Sequence, residues 1–584
     1  VIIMPQTQAG GDAEHHGAGG GSADPDDGSS CPLVVVSNRL PVERVRDQDG
    51  RWHWRASSGG LVTALEPVVE RTGGVWIGWP GTASDSERGP GPGSGSGDGD
   101  EDGAGIPTEP FEVAGPSTGR PFTIAPVPLT AEEVERYYEG FSNGTLWPLY
   151  HDVIAQPEYH RIWWDAYKEV NHRFAQAAAD AARPGSRVWI QDYQLQLVPR
   201  MLRELRPDVS IGFFNHIPFP APGIYAQLPW RQQILRGLLG ADLVGFQRAG
   251  DARNFAQAVR QLLGWTVHRG VVEVPLDDEA RTGWAARRDT TVDLAGQSDA
   301  GRSAALVAEE MPPTRSEREE AGREAGSGRR PSHFGAFPIS VDFASWDALG
   351  NDPEVRARAS QIRHELGSPR TVLLGVDRLD YTKGISHRLK AYGELLDEHR
   401  LDVGDTILVE MAIPTREGVS AYQDLREEVE VAVSRINGDH STVGRSAVQY
   451  MHRNLPRREV AALYEAADVL LVTSLRDGMN LVAKEYIAAS VDIDGVLILS
   501  EFTGAADELR QALIVNPHDV DAIKEAIVRA TRMSPRERAR RMRQLRRTVR
   551  THDVEAWSAG FLAELDRASA SRMGPWRRRE ARGR

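Results

Sequence analysis

The sequence predicts an α/β protein built from two doubly wound domains that face a deep cleft, and three observations predict it. Short apolar runs alternate with amphipathic helical stretches, the runs fall into two series, and a long segment without apolar period separates the series. A continuous apolar run suits a strand whose sheet is covered by helices on both faces, as parallel sheets are. The 584 residues, 40% of them hydrophobic, also exceed what one core fills, since single cores stop growing near roughly 250–300 residues.

Residues 1–30 are rich in Gly, Asp, Ser and His and read as a disordered tail. A first domain is expected over 31–338, with strands at 33–37, 75–78, 188–191, 211–215 and 243–246. Two surface insertions interrupt it. Residues 81–119 contain a Gly-Pro-Ser-Asp run that can bury no core, and residues 279–332 carry charge runs without a pattern. A second domain is expected over 339–550, with strands at 372–376, 407–411, 469–473, 496–499 and 513–515. A helix at 551–570 should pack back on the first domain, leaving 571–584 as a basic tail.

Composition narrows the function. No apolar run approaches the roughly 18–20 residues that cross a bilayer, and the opening Val1-Ile2-Ile3-Met4 is too short for a signal-peptide core. The lone Cys31 cannot form an internal disulfide, so a cytoplasmic protein is expected. A net charge of −14 argues against nucleic acid or an anionic membrane as partner. Phosphorylated small molecules would have to be held by a few placed cations. Of 69 basic residues only five are Lys, and Lys383 and Lys484 both fall in motifs.

In a doubly wound sheet, ligands bind beyond the carboxyl ends of the strands, and the motifs follow the strands. The first run leads into Ser37-Asn38-Arg39, where a guanidinium can grip a phosphate through two hydrogen bonds. Gly59-Gly60 precede a helical run and would let backbone N–H groups approach an anion. Tyr138 and Trp147 offer a hydroxyl and an aromatic face to a sugar. Asp192 follows one strand and can orient sugar hydroxyls; His216 follows the next, in a loop stiffened by Pro218 and Pro220.

In the second series Arg378 and Lys383, five apart on a turn that opens a helix, form a cationic clamp suited to a diphosphate. Arg416 stands at another strand mouth. The densest constellation is Arg476-Asp477-Gly478-Met479-Asn480-Leu481-Val482-Ala483-Lys484-Glu485. Asp477 lies in the loop and Glu485 inside the following helix, so two acids can face one ligand from different depths.

Together these residues resemble glycosyltransferase family 20, whose members have the two-domain, Rossmann-like GT-B fold. The motifs that carry the resemblance are 378–384, 476–486 and Ile436-Asn437-Gly438, within a match running from Val34 to about Trp557. The resemblance implies a retaining enzyme that makes α,α-trehalose 6-phosphate from a nucleoside-diphosphate glucose and glucose 6-phosphate, with no cofactor and no catalytic metal. A homo-oligomer is expected.

Carried over by motif, His216, Arg378, Lys383 and Asp477 would be catalytic. Gly59, Gly60, Leu455, Leu481, Val482, Ala483, Lys484 and Glu485 would join Arg378, Lys383 and Asp477 around the donor. Arg39, Tyr138, Trp147, Asp192 and Arg416 would hold the acceptor. Gln191 and Gln194 stand where the family often has His, Asn215 replaces a usual Leu, and Leu455 stands at a position aligned with a base-contacting Phe. The donor base stays open. Two rival readings are a catalytically silent sugar-phosphate sensor, which intact Arg378, Lys383, Asp477 and Glu485 disfavour, and a transferase to a neutral glucan, which would have no use for Arg39 and Arg416.

Overall fold

The computed structural model describes residues 33–46, 52–56, 60–84, 109–115, 119–276, 328–416 and 418–580. They form two α/β domains, each around one sheet. In the first domain the strands are β1 (Leu33–Arg39), the hairpin β2 (Val42–Arg46) and β3 (Trp52–Ala56), then β4 (Val75–Trp79), β5 (Phe111–Ala114) and β6 (Pro121–Pro126). There follow β7 (Arg187–Gln191), β8 (Ser210–Asn215), β9 (Leu243–Phe246), β10 (Val267–His268), β11 (Val271–Pro275) and β12 (Arg329–Ala336). All but the hairpin join one sheet in the order β10-β11-β12-β9-β8-β7-β1-β4-β6-β5. Its middle is parallel, and only the outer pairs β5–β6, β10–β11 and β11–β12 run antiparallel. The second domain holds β13 (Thr371–Arg378), β14 (Thr406–Ile413), β15 (Val448–Met451), β16 (Val469–Val472), β17 (Val496–Ser500) and β18 (Leu513–Val515). Their order is β15-β14-β13-β16-β17-β18, parallel throughout.

The apolar runs become the central strands for the expected reason. Every residue of β8, β9, β16 and β17 is buried, because helices cover both faces. Among the described residues, no helix is long and apolar enough to cross a membrane.

The structure differs from the sequence reading at the edges of the insertions. Residues 111–114, inside the expected 81–119 insertion, form β5, and Phe111 and Val113 pack against the core. Residues 329–332, inside the expected 279–332 insertion, belong to β12. That strand is hidden in the sequence by its polar start, yet Arg330 and Ser332 are buried there. The Arg330 guanidinium donates to the Leu239 and Ala241 carbonyls, and the Ser332 hydroxyl donates to the Ala241 carbonyl at 2.9 Å. Residues 85–108, 116–118 and 279–327 of the insertions, the 1–30 tail, Cys31 and Gly59 lie outside the described residues.

After the second domain the chain returns as a helix, Val554–Glu580, which runs on through part of the expected basic tail. Phe561 stacks on Trp189 at 4.7 Å and 10°. Gly212 in β8 and Gly245 in β9 make room for it, since a Cβ would fall 2.8 and 2.7 Å from its ring. Arg572 pairs with the fully buried Asp242 at 2.8 Å.

Candidate active site

The strand ends of the two sheets meet. Arg39 ends β1, Asp192 follows β7, His216 follows β8, and Arg378 ends β13. Arg416 stands just past β14, and Asp477 in the loop after β16. Contacts between the domains close the gap. The Tyr193 hydroxyl accepts a hydrogen bond from Arg416 at 3.1 Å, and the guanidinium carbons of Arg416 and Arg378 lie 3.8 and 5.2 Å from the Trp147 ring. Gly478 is required where it stands, because a Cβ there would fall 2.1 Å from the His216 carbonyl oxygen. Arg248 grips Asp507 with two bonds at 2.8 and 2.9 Å.

Lys383 is placed by a turn that the sequence specifies locally. The Asp380 carboxylate accepts from the Thr382 N–H at 2.9 Å and its hydroxyl at 2.8 Å, and Gly384 turns left-handed at φ +63°. The Lys383 ammonium then donates to Asp477 Oδ2 at 2.9 Å. Ser474 and Asn480 donate to the same oxygen, each at 3.3 Å, leaving Oδ1 without a side-chain partner among the described residues. Burial would raise the Asp477 pKa, but Lys383 holds it below the ordinary value. Asp477 is therefore a carboxylate at any physiological pH.

Arg378 is exposed and has neither a side-chain hydrogen bond nor an ion pair among the described residues; its only contact of note is the Trp147 face. An exposed cation bonded to no carboxylate among the described residues, and only near Asp192 and Asp380, is a ready anion site beside a buried Lys–Asp pair. Arg416 is different. Its side chain is only 4% exposed, paired with Asp380 at 3.1 Å and bonded to Tyr193 and to Tyr422. Burial alone would lift the Asp380 pKa; Arg416, Lys383 and Arg378 hold it far below the carboxylate range.

Asp192 sits at φ +73° and accepts the His216 N–H at 3.0 Å. Burial raises its pKa to about 6, against the pull of those backbone bonds and of Arg378 and Arg416. Burial also drives the His216 pKa down to about 3. Arg39 and Tyr138 gather separately around Trp79, at 4.7 and 5.8 Å. Tyr138 also lies near enough to Arg416 and Tyr193 to be felt electrostatically, so it stands between the two groups.

The segment expected to meet the donor divides. Asn480, left-handed at φ +80°, caps the helix Leu481–Ala489 by accepting the Ala483 N–H at 3.0 Å. Leu481 and Glu485 line a small cavity with Ala64, Ser340 and Asp342, beside the helix that Gly60 opens, while Val482 packs partly buried on the core. Burial raises the Glu485 pKa, opposed by the Tyr464 hydroxyl at 3.0 Å and by Arg457. Lys484, by contrast, spends its ammonium on Glu508 at 2.6 Å and the Ile339 carbonyl at 2.8 Å. Leu455 lines a different cavity, with Met451 and Arg453, so the structure does not bring it into one cavity with Glu485.

Sequence reasoning missed four groups here: Asp380, Tyr193, His151 and Tyr422. His151 is buried, accepts no exposure beyond 1%, and its Nδ1 lies 2.8 Å from the Trp147 carbonyl. Its position four residues after Trp147 in a helical turn was the available signal.

Two Rossmann-like domains joined over a cleft, with an unpaired guanidinium and a Lys–Asp pair at the strand mouths, define a GT-B glycosyltransferase. The comparisons with known proteins narrow this further. The chain belongs to glycosyltransferase family 20, whose pattern matches residues 32–567. It is 49% identical over 537 residues to the trehalose-6-phosphate synthase of Mycolicibacterium gilvum, covering 92% of this chain and 94% of that one. It is 48% identical over 533 residues to the corresponding protein of Mycobacterium tuberculosis, covering 91% and 94%. Among solved structures, the α,α-trehalose-phosphate synthase (UDP-forming) of Burkholderia xenovorans in complex with glucose 6-phosphate superposes with a TM-score of 0.72 at 30% identity, covering 92% of this chain and all of that one. The Escherichia coli protein bound with UDP-2-fluoro glucose superposes with a TM-score of 0.70 at 29% identity, covering 91% and 98%.

Proposed function

We infer that the protein is a retaining glucosyltransferase that makes α,α-trehalose 6-phosphate from a nucleoside-diphosphate glucose and glucose 6-phosphate. The observation that carries the reading is Arg378, an exposed cation in no ion pair among the described residues, beside Lys383 and Asp477 at the mouth of the second sheet. When the bond between glucose C1 and the diphosphate breaks, negative charge builds on the leaving phosphate and positive charge on the sugar. Arg378 and Lys383 stabilise the first; one positioned cation there can lower the barrier by roughly 3–4 kcal/mol. Asp477 holds sugar hydroxyls through Oδ1, while Oδ2 stays bound to Lys383.

The acceptor's anomeric hydroxyl attacks from the face the diphosphate leaves and hands its proton to the departing phosphate oxygen. The new bond forms as the old one breaks, and the α configuration is kept. Arg39, over Trp79 and near Tyr138, takes the acceptor's phosphate. Arg416 supports the acceptor site from below Trp147. Glu485 reaches the donor ribose. On this reading the partners are small molecules, and the protein works as a cytoplasmic homo-oligomer.

A matrix of donors and acceptors tests the reading, with the product identified by NMR. The uridine donor is the first to try, given the ligand of the Escherichia coli neighbour. An α,α-linked disaccharide phosphate is expected with glucose 6-phosphate. Turnover with glucan and none with glucose 6-phosphate would overturn it.

A further inference from the structure

We propose that Gln191 and Gln247 hold His216 as the neutral tautomer protonated on Nε2, with both ring nitrogens engaged, so that the site contains no histidine base. The two glutamines are positioning residues. The inference rests on His216 belonging to the donor site.

Three adjacent parallel strands end side by side, β9, β8 and β7. Gln191 closes β7, His216 follows β8, and Gln247 follows β9, so the imidazole is flanked by an amide on each side. His216 Nε2 lies 2.9 Å from Gln191 Oε1, and His216 Nδ1 lies 3.4 Å from Gln247 Nε2.

The direction of each bond follows from what lies behind it. Gln247 Oε1 accepts the backbone N–H of Ile339 at 2.9 Å. A backbone N–H can only donate, so the oxygen of that amide is fixed there and its NH2 faces the histidine. Nδ1 must then accept. On the other side, Gln191 Nε2 has the Trp189 carbonyl at 3.5 Å, which turns Oε1 toward the ring. Nε2 must then donate. One tautomer satisfies both partners.

Protonating Nδ1 would set an N–H against an NH2. Burial opposes the charge as well. Among the described residues, the groups around the ring offer no counter-charge to its nitrogens. Asp192 accepts the His216 backbone N–H, Asp477 belongs to the loop whose Gly478 abuts the His216 carbonyl, and Phe214 and Trp557 supply only aromatic faces at 4.6 and 6.2 Å. Held in this way, both ring nitrogens of His216 are committed to the glutamines, and it has no free lone pair to take the acceptor's proton. That proton is left to the departing phosphate oxygen.

The test uses the full chain labelled with 15N-histidine, with the His216 resonances assigned by their loss in His216→Asn. The expected spectrum shows Nε2 protonated and Nδ1 bare, unchanged between about pH 5 and pH 8, the span in which a free histidine titrates. Gln247→Glu puts a carboxylate against Nδ1 and still accepts the Ile339 N–H. His216 should then become doubly protonated within that span, and kcat should fall about tenfold as one hydrogen bond is misdirected. Gln191→Glu keeps an acceptor for Nε2 and should keep Nε2 protonated. A wild-type spectrum with Nδ1 protonated, or Gln247→Glu with wild-type His216 signals, overturns the proposal. If the wild type turned over no nucleotide sugar, the donor-site reading would fall, and the spectra would still decide the tautomer.

Discussion

Lys383 and Asp477 stand 94 positions apart, and their side chains meet at 2.9 Å where neither is more than 15% exposed. The pair ties the turn after β13 to the loop after β16, and it fixes which carboxylate oxygen remains for a ligand. A diphosphate on one side and a sugar on the other would thus be read by two halves of a single ion pair.

Asp477→Asn tests that division. The amide keeps the shape and an acceptor for Lys383 but loses the charge that a developing positive sugar would feel. The expected loss is at least about a hundredfold in kcat, with an unchanged circular dichroism spectrum. A folded variant with near-normal turnover would take Asp477 out of the mechanism.

Lys383→Ala should reduce turnover by the same factor with uridine, adenosine and guanosine diphosphate glucose, because the diphosphate is common to all three. Substituting Leu455 should change the three unequally. Steady-state kinetics on the donor series separates the two outcomes.

The two arginines proposed for the acceptor should behave differently, because Arg39 is exposed and donates to the Gly81 carbonyl at 3.2 Å, whereas Arg416 is buried in an ion pair with Asp380. Arg39→Ala should weaken glucose 6-phosphate by roughly tenfold to a hundredfold, the worth of charge-assisted hydrogen bonds of about 1.5–3 kcal/mol. The residual rate with plain glucose should be unchanged. Arg39→Lys should recover only part. Arg416→Ala instead strips the buried Asp380 of its partner, and breaking such a pair costs about 3–5 kcal/mol. Thermal unfolding should show that loss, and activity should fall with either acceptor.

Asp192 gives a pH signature. Its folded pKa of about 6 exceeds the unfolded value of roughly 3.9. Below pH 4 both states are protonated and the group contributes nothing. As pH rises from about 4 to 6 the unfolded chain ionises first and stability falls, by at most about 3 kcal/mol above pH 6. Asp192→Asn keeps the bond to the His216 N–H and should stabilise the protein at pH 7.5 but not at pH 4. Equal unfolding free-energy changes at both pH values would show that burial does not raise the Asp192 pKa.

How much of this was legible in the sequence depends on where the stabilising partner lies. The runs at 33–37, 211–215 and 469–473 read as strands because burial on both faces leaves a local apolar signature. β5, β10, β11 and β15 lie at or beside sheet edges, where half-covered strands carry polar residues, and no local run marks them. The reading of Arg378, Lys383 and Asp477 came from compact motifs whose turns are specified within a few residues, as the Asp380 bonds to Thr382 illustrate. Arg416 and Lys484 are harder cases. Each looks in sequence like a cation at a mouth or in a donor motif, but each is neutralised by an acid that its motif does not announce, Asp380 for one and Glu508 for the other. Nothing in the spacing of Gln191, His216 and Gln247 declares that three strand ends set them in a row.

The returning helix Val554–Glu580 has a mechanical consequence. The backbone passes from the first domain to the second just after β12 and comes back before Val554, where the Val554 N–H donates to the Val341 carbonyl at 3.1 Å. Two covalent crossings lie side by side, bonded to each other. A body hung from one thread can swing and spin in any direction; one hung from two adjacent threads retains mainly the rotation about the line joining them. Relative motion of the domains is thereby reduced to something close to a door on its pins, and a rotation that parts Arg378 from Trp147 follows that arc.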